Sequence, residues 1–324
     1  MADPIIQIAS VLYTPTDWSL RWLPESPFSW VLRGQSVLGW VNGQEGADAK
    51  TGSLHFLELE EQHTYSFPLP ERPGFAAATD HEDTLVLGLG KALALYNVVE
   101  DTLETLTLVE TDRPDTIIND GAVLPDGSGV IFGTKHLAAK EPVAGLYLYR
   151  HGHTQMIRAH QRCSNGKGFW HHDGQLTLLD IDSPERTVAR YTFDSTPFGD
   201  PAVALDLREL DGVPDGMAGP SGERIVVAFY NPSPVPSGRA VQFNLNTRAK
   251  EVIFELPGSP RVTCPHLMTI AGVNHIVFTT AAEGLSDSER DQSPNAGALF
   301  AVPTDLEIPL QPQLQIRKAT SRGA

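Results

Sequence analysis

Val213-Pro214-Asp215-Gly216-Met217-Ala218 runs into the turn-like Gly219-Pro220-Ser221-Gly222 and then the apolar run Ile225-Val226-Val227-Ala228-Phe229-Tyr230. Gly, Pro, Asp and Asn punctuate turns, while runs of β-branched and aromatic residues form strands, so the segment reads as a brief strand, a tight turn and a longer strand. The same grammar recurs along the chain. It is found at Pro24-Glu25-Ser26-Pro27, at Pro73-Gly74-Phe75, at Asn119-Asp120-Gly121, at Ser164-Asn165-Gly166 and at Thr263-Cys264-Pro265-His266. Aligned on Glu25, Gly74, Asp120, Asn165, Asp215 and Cys264, the steps are 49, 46, 45, 50 and 49 residues. A fixed period of this length is the mark of a repeat architecture.

Each unit continues with further short alternating runs, such as 53–59, 92–98, 145–149, 187–193, 240–245 and 298–302. Four short strands per unit separated by turn residues are expected of a propeller blade. The sequence therefore predicts an all-β, six-bladed β-propeller with four strands per blade. One strand run, residues 5–12, has no partner nearby, and the last unit lacks a clear fourth strand. The N-terminal strand is thus expected to close the last blade and cover an exposed edge. The organisation expected is an N-terminal segment 1–18 that contributes the closing strand, a propeller over 19–305 and a loose, polar C-terminal tail over 306–324.

The chain has 324 residues and a formal charge of −16, with no basic stripe to offset it. Such a field repels phosphate backbones and anionic lipid, so neither a nucleic-acid nor a membrane partner is expected. The acidity either provides solubility or brings carboxylates together on a cation. Two cysteines are too few for a disulfide framework, and no leader or membrane-length apolar run is visible. A cytoplasmic location is the expectation.

In a radial propeller the first strand of every blade lies along the central channel, so the starts of those strands converge. The expected ring holds Glu25, the Gly74 region, Asn119 with Asp120, Asn165, Asp215, and Cys264 with His266. Oxygen side chains at Glu25, Asp120, Asn165 and Asp215 suit a hard divalent cation, and Glu25 and Asp215 together would neutralise its charge. Pro125-Asp126-Gly127 and His172-Asp173-Gly174 lie between strand runs and read as hairpin turns. The histidines at 151, 153, 171 and 172 read as surface residues, and Cys163 reads as a buried structural thiol. No nucleophile elbow or phosphate-cradling glycine loop is present.

Four of these motifs carry a family resemblance. Glu25-Ser26-Pro27, Asn119-Asp120-Gly121 with Phe132-Gly133-Thr134, Ser164-Asn165-Gly166 with Asp182-Ser183, and Pro214-Asp215-Gly216-Met217 occur in order at blade spacing. Together they resemble the senescence marker protein, gluconolactonase and luciferin-regenerating enzyme family, the regucalcin-like group. The resemblance covers about residues 19–305 and implies one divalent cation in the channel, calcium first, with magnesium, manganese or zinc as alternatives. It implies Glu25, Asn165 and Asp215 as metal ligands and Asp215 as the catalytic acid/base. Asn119, with its neighbour Asp120, is implied on the substrate side. The implied activity is metal-dependent hydrolysis of a small-molecule lactone. The alternatives are an organophosphate hydrolase of the diisopropyl-fluorophosphatase type and a metal-binding propeller without catalysis. Ile117 stands where that family has an arginine, and Lys135 where an apolar residue is common.

Overall fold

The computed structural model describes residues 3–193 and 198–316. Four four-stranded meanders follow one another in the chain. Their first, innermost strands are Pro24–Leu32, Pro73–Ala78, Thr116–Val123 and Ser164–His172. The remaining strands form a single nine-stranded sheet. One part of it runs Val213–Ser221, Arg224–Tyr230, Ser237–Asn244 and Lys250–Pro257, and the other runs Arg261–Ile270, Val273–Ala281 and Leu299–Pro303.

The molecule is an all-β propeller, but the expected six separate four-stranded blades are not what forms. Four blades are independent sheets, and the rest of the chain is one continuous sheet. The cause is local. Asn231 N donates to Pro260 O at 3.2 Å, which draws the start of Arg261–Ile270 alongside the end of Arg224–Tyr230 and places Arg261 in ladder register with Tyr230. The Arg261 guanidinium then lies 5.4 Å from the centre of the Tyr230 ring.

The N-terminal run, read as one strand, is two. Ile5–Ile8 adds a parallel strand to Lys250–Pro257, while Ser10–Tyr13 pairs antiparallel with Leu299–Pro303. Ala9, buried between them, donates its N–H to Glu255 O at 2.9 Å. The segment expected to be a loose tail is docked as far as Ile316. Leu314 is buried, bridges Thr79 and exchanges backbone bonds with Ala78 and Asp80. Residues 317–324 lie outside the described residues.

An apolar cluster fills each gap between neighbouring layers. Phe28, Val41 and Phe56 meet Ala76, Leu85 and Tyr96. Leu179, Ile181 and Val188 meet Ile225, Val227 and Phe243. The circle closes where Leu38, Trp40 and Leu57 pack on Met268, Val277 and Leu299. Burying such side chains contributes about 1.5–3 kcal/mol each. Phe28 and Phe75 lie over their cross-strand glycines, Gly39 and Gly88, where an added Cβ would come within 2.5 and 2.6 Å of the rings.

The six inner strands pack side by side into a closed ring around the axis. Every one carries a register shift near its start, at Glu25/Phe28, Pro73/Phe75, Ile118/Asp120, Asn165/Gly168, Pro214/Met217 and Val262/Cys264. Bulges re-aim side chains. These bulges coincide with the positions on which the repeat aligns.

Candidate active site in the channel

Glu25, Asn119, Asn165 and Asp215 come from four different inner strands. Asn119 Nδ2 donates to Asn165 Oδ1 at 2.8 Å and to Ser164 O at 2.9 Å. Asn165 Nδ2 donates in turn to Ser183 Oγ at 2.8 Å and weakly to Cys163 Sγ at 3.6 Å. Asn119 is therefore held by its nitrogen end, and Asn165 by both its nitrogen and its oxygen. Among the described residues no donor reaches Asn119 Oδ1.

Glu25 and Asp215 behave differently. Asp215 is only 8% exposed, and among the described residues neither carboxylate receives a hydrogen bond or forms an ion pair. Burial pushes the Glu25 carboxyl far above the usual range, and the Asp215 carboxylate pushes it further. Asp215 is likewise raised, chiefly by burial, with Asp120 and Glu283 adding to it. Lys135 opposes the shift of both, without reaching ion-pair distance. Two buried carboxylates that repel each other and lack donors are under-compensated. Hard oxygen donors of this kind fit a divalent cation. Among the described residues no three His, Cys, Asp or Glu side chains converge to hold a metal ion.

A narrow cavity of about 20 Å³, room for roughly one water, borders Glu25 and Asn119. Glu25, Arg72, Asn119, Ile117 and Lys135 are among its walls.

Asp120 does not join Asn119. The bulge sets the two adjacent side chains on different partners, and Asp120 lies 3.9 Å from the Lys167 ammonium. Lys167 is fully buried and also lies 3.5 Å from Asp180 and 3.1 Å from Ser164 Oγ. This ion cluster, with Cys264 and His266, lies at and just past the bulges of the inner strands. Asp120, Lys167, Cys264 and His266 line a second cavity there, of about 410 Å³. His266 is held by Ser29 Oγ at 3.0 Å and Gln311 Nε2 at 2.8 Å, and burial lowers its pKa to about 4.

Both cysteines are free thiols. Burial pushes Cys163 up to about 12, so it is an inert thiol beneath Asn165 rather than a nucleophile. His151 and His153 are exposed. No helix among the described residues is long and apolar enough to cross a membrane.

The inner-strand alignment missed two charged groups. Lys135 arrives from the second strand of its blade, Gly129–His136, and Glu283 from the loop after Val273–Ala281. Tyr230 donates to Glu283 at 3.4 Å. Lys135 had a signal, since it ends an apolar run with a charge.

Fold and site together define an all-β propeller with a carboxylate and amide pocket at one end of its channel. The chain belongs to the SMP-30/Gluconolactonase/LRE-like region family, whose model matches residues 23–282. It is 28% identical to an L-arabinolactonase of Azospirillum brasilense over 79% of this chain and 85% of that protein. It is 22% identical to regucalcin of Xenopus laevis over 79% of this chain and 88% of that protein. The crystal structure of a calcium-binding protein, regucalcin, from Agrobacterium tumefaciens superposes with a TM-score of 0.81 at 19% identity. That match covers 96% of this chain and 99% of the other.

Proposed function

We propose that this protein is a sugar lactone hydrolase whose channel site works with a divalent cation, calcium first. Family membership and the lactonase among its relatives support the reaction class. The observation that carries the site is the pair Glu25 and Asp215, two largely buried carboxylates that receive no hydrogen bond among the described residues. Glu25, Asp215 and the amide oxygen of Asn165 would hold the cation, with Asn119 beside Glu25 on the cavity wall. When bound, such an ion supplies Lewis-acid polarisation of the ester carbonyl, worth several kcal/mol.

The chain's own groups do the rest. Asn119, fixed by its bonds to Ser164 and Asn165, orients the lactone. The carboxylate of Asp215 takes a proton from the attacking water as the new carbon–oxygen bond forms. It returns that proton to the ring oxygen as the acyl–oxygen bond breaks, leaving an open hydroxy acid.

Hydrolysis of a panel of aldonolactones by chelated and calcium-restored protein, with Asp215→Asn beside wild type, tests the reading. Calcium-dependent turnover abolished in Asp215→Asn is expected. Full turnover by the chelated protein would remove the cation, and turnover retained in Asp215→Asn would remove the proposed base.

A further inference from the structure

Two side chains at the throat of the cavity have no task in this chemistry. Lys135 and Arg72 line it together with Glu25 and Asn119. Arg72 directs Nε and Nη2 to the Ala49 carbonyl, at 3.1 and 2.6 Å, and among the described residues it has no carboxylate partner. The Lys135 ammonium has neither a hydrogen-bond acceptor nor an ion pair among the described residues. The contrast with Lys167 is sharp, because that lysine is ion-paired to two aspartates.

Leaving a half-buried ammonium without a partner costs free energy, and a chain with formal charge −16 has carboxylates to spare. Its position is fixed by the sheet. Lys135 stands directly opposite Ile117 in the antiparallel ladder, so both side chains leave the same face, and both line the cavity. Lys135 offsets part of the charge of Glu25 and Asp215, and Arg72 adds a second cation to the cavity wall. Any divalent cation held by those carboxylates would leave the throat net positive. A positive throat on a negative protein concentrates anions at that point.

We propose that Lys135, with Arg72 beside it, recognises an anionic substituent, a carboxylate or a phosphate, on the substrate, and that the preferred substrates are acidic sugar lactones. The inference rests on the lactonase reading of the same site. Both cations sit on the cavity wall that Glu25 and Asn119 share. There the lysine acts as a point charge, and the guanidinium acts as a planar donor.

The test compares kcat/KM for a neutral aldonolactone, a lactone carrying a carboxylate and a lactone carrying a phosphate monoester. Wild type, Lys135→Met and Lys135→Arg are assayed at low and high salt. Wild type is expected to favour at least one charged lactone over the neutral one by tenfold or more, with the difference carried by KM and weakened by salt. In Lys135→Met that ratio collapses at least tenfold, and Lys135→Arg restores it. The two charged arms tell carboxylate from phosphate. An active wild type without the preference, or a ratio unchanged in Lys135→Met, overturns the inference while leaving the lactonase reading intact. A wild type inactive on all three lactones removes the lactonase reading instead. Calorimetric binding of the corresponding open-chain acids then decides. Tighter binding of the doubly charged acid that is lost in Lys135→Met supports the inference, and equal binding overturns it.

Discussion

Asn119 and Asn165 sit on inner strands of two different sheets and are joined by one hydrogen bond, Nδ2 to Oδ1 at 2.8 Å. The bond fixes the orientation of both amides and engages one lone pair of Asn165 Oδ1. Replacing Asn119 with Ala removes the donor from a nearly buried acceptor, at about 1–2 kcal/mol. Lactone kcat/KM is expected to fall at least tenfold in Asn119→Ala, with a modest loss of stability in urea. Unchanged turnover would leave Asn119 a purely structural link.

The repulsion between Glu25 and Asp215 predicts a trade between stability and function. In chelated protein, Glu25→Gln removes one of two under-compensated charges and is expected to stabilise the fold by about 0.5–2 kcal/mol. The same substitution should abolish the rise in Tm that calcium gives wild type. A destabilised chelated variant that still gains Tm with calcium would contradict the assignment of Glu25 as a ligand.

Lys167 is the sole cation within ion-pair reach of Asp120 and Asp180 among the described residues, and its ammonium is fully buried. Lys167→Met strands two buried carboxylates, and breaking a buried ion cluster in this way typically costs about 3–5 kcal/mol. Chemical denaturation should show a loss of that order. A loss below about 1 kcal/mol would mean that the aspartates simply take up protons.

Acid should weaken the fold through its buried histidines. His55 lies between Ser53 Oγ at 2.7 Å and Ser66 Oγ at 2.8 Å and stacks on Trp40. Burial lowers its pKa to about 4, and that of His266 also to about 4, from an ordinary 6.5. Between those values the unfolded chain binds protons that the folded chain refuses, so stability falls as pH drops from about 6.5 to about 4. Each histidine contributes up to about 3 kcal/mol over that window. His55→Gln should flatten part of the slope in Tm measured across that range, and an unaltered slope would acquit His55.

Much of this was legible in the sequence, for a physical reason. Turn residues and strand runs recur because every layer of the ring must solve the same packing problem, so the spacing of Glu25, Asn165 and Asp215 carried geometric content. What the spacing could not carry was backbone register. The bridge from Tyr230 to Arg261 depends on a connection that happens to fall in ladder phase, and no side-chain pattern records it. Residues 5–12 alternate without a turn residue, which hides the break at Ala9. The bulge after Ile118 parts Asn119 from Asp120, and a one-residue shift is invisible to a period of about fifty. Lys135 and Glu283 enter from outside the inner strands, beyond any alignment of strand starts.

The break at Ala9 also has a consequence for assembly. Within nine residues, from Ile5 to Tyr13, the chain clamps two pieces that are made more than two hundred residues later, Lys250–Pro257 and Leu299–Pro303. During synthesis the segment must remain unpaired until nearly all of the protein exists, since loop closure over such a span is entropically dear and only the finished sheet offers both partners. The N-terminal strands thus act as a latch set last, and the timing of closure is written into the part of the chain that appears first.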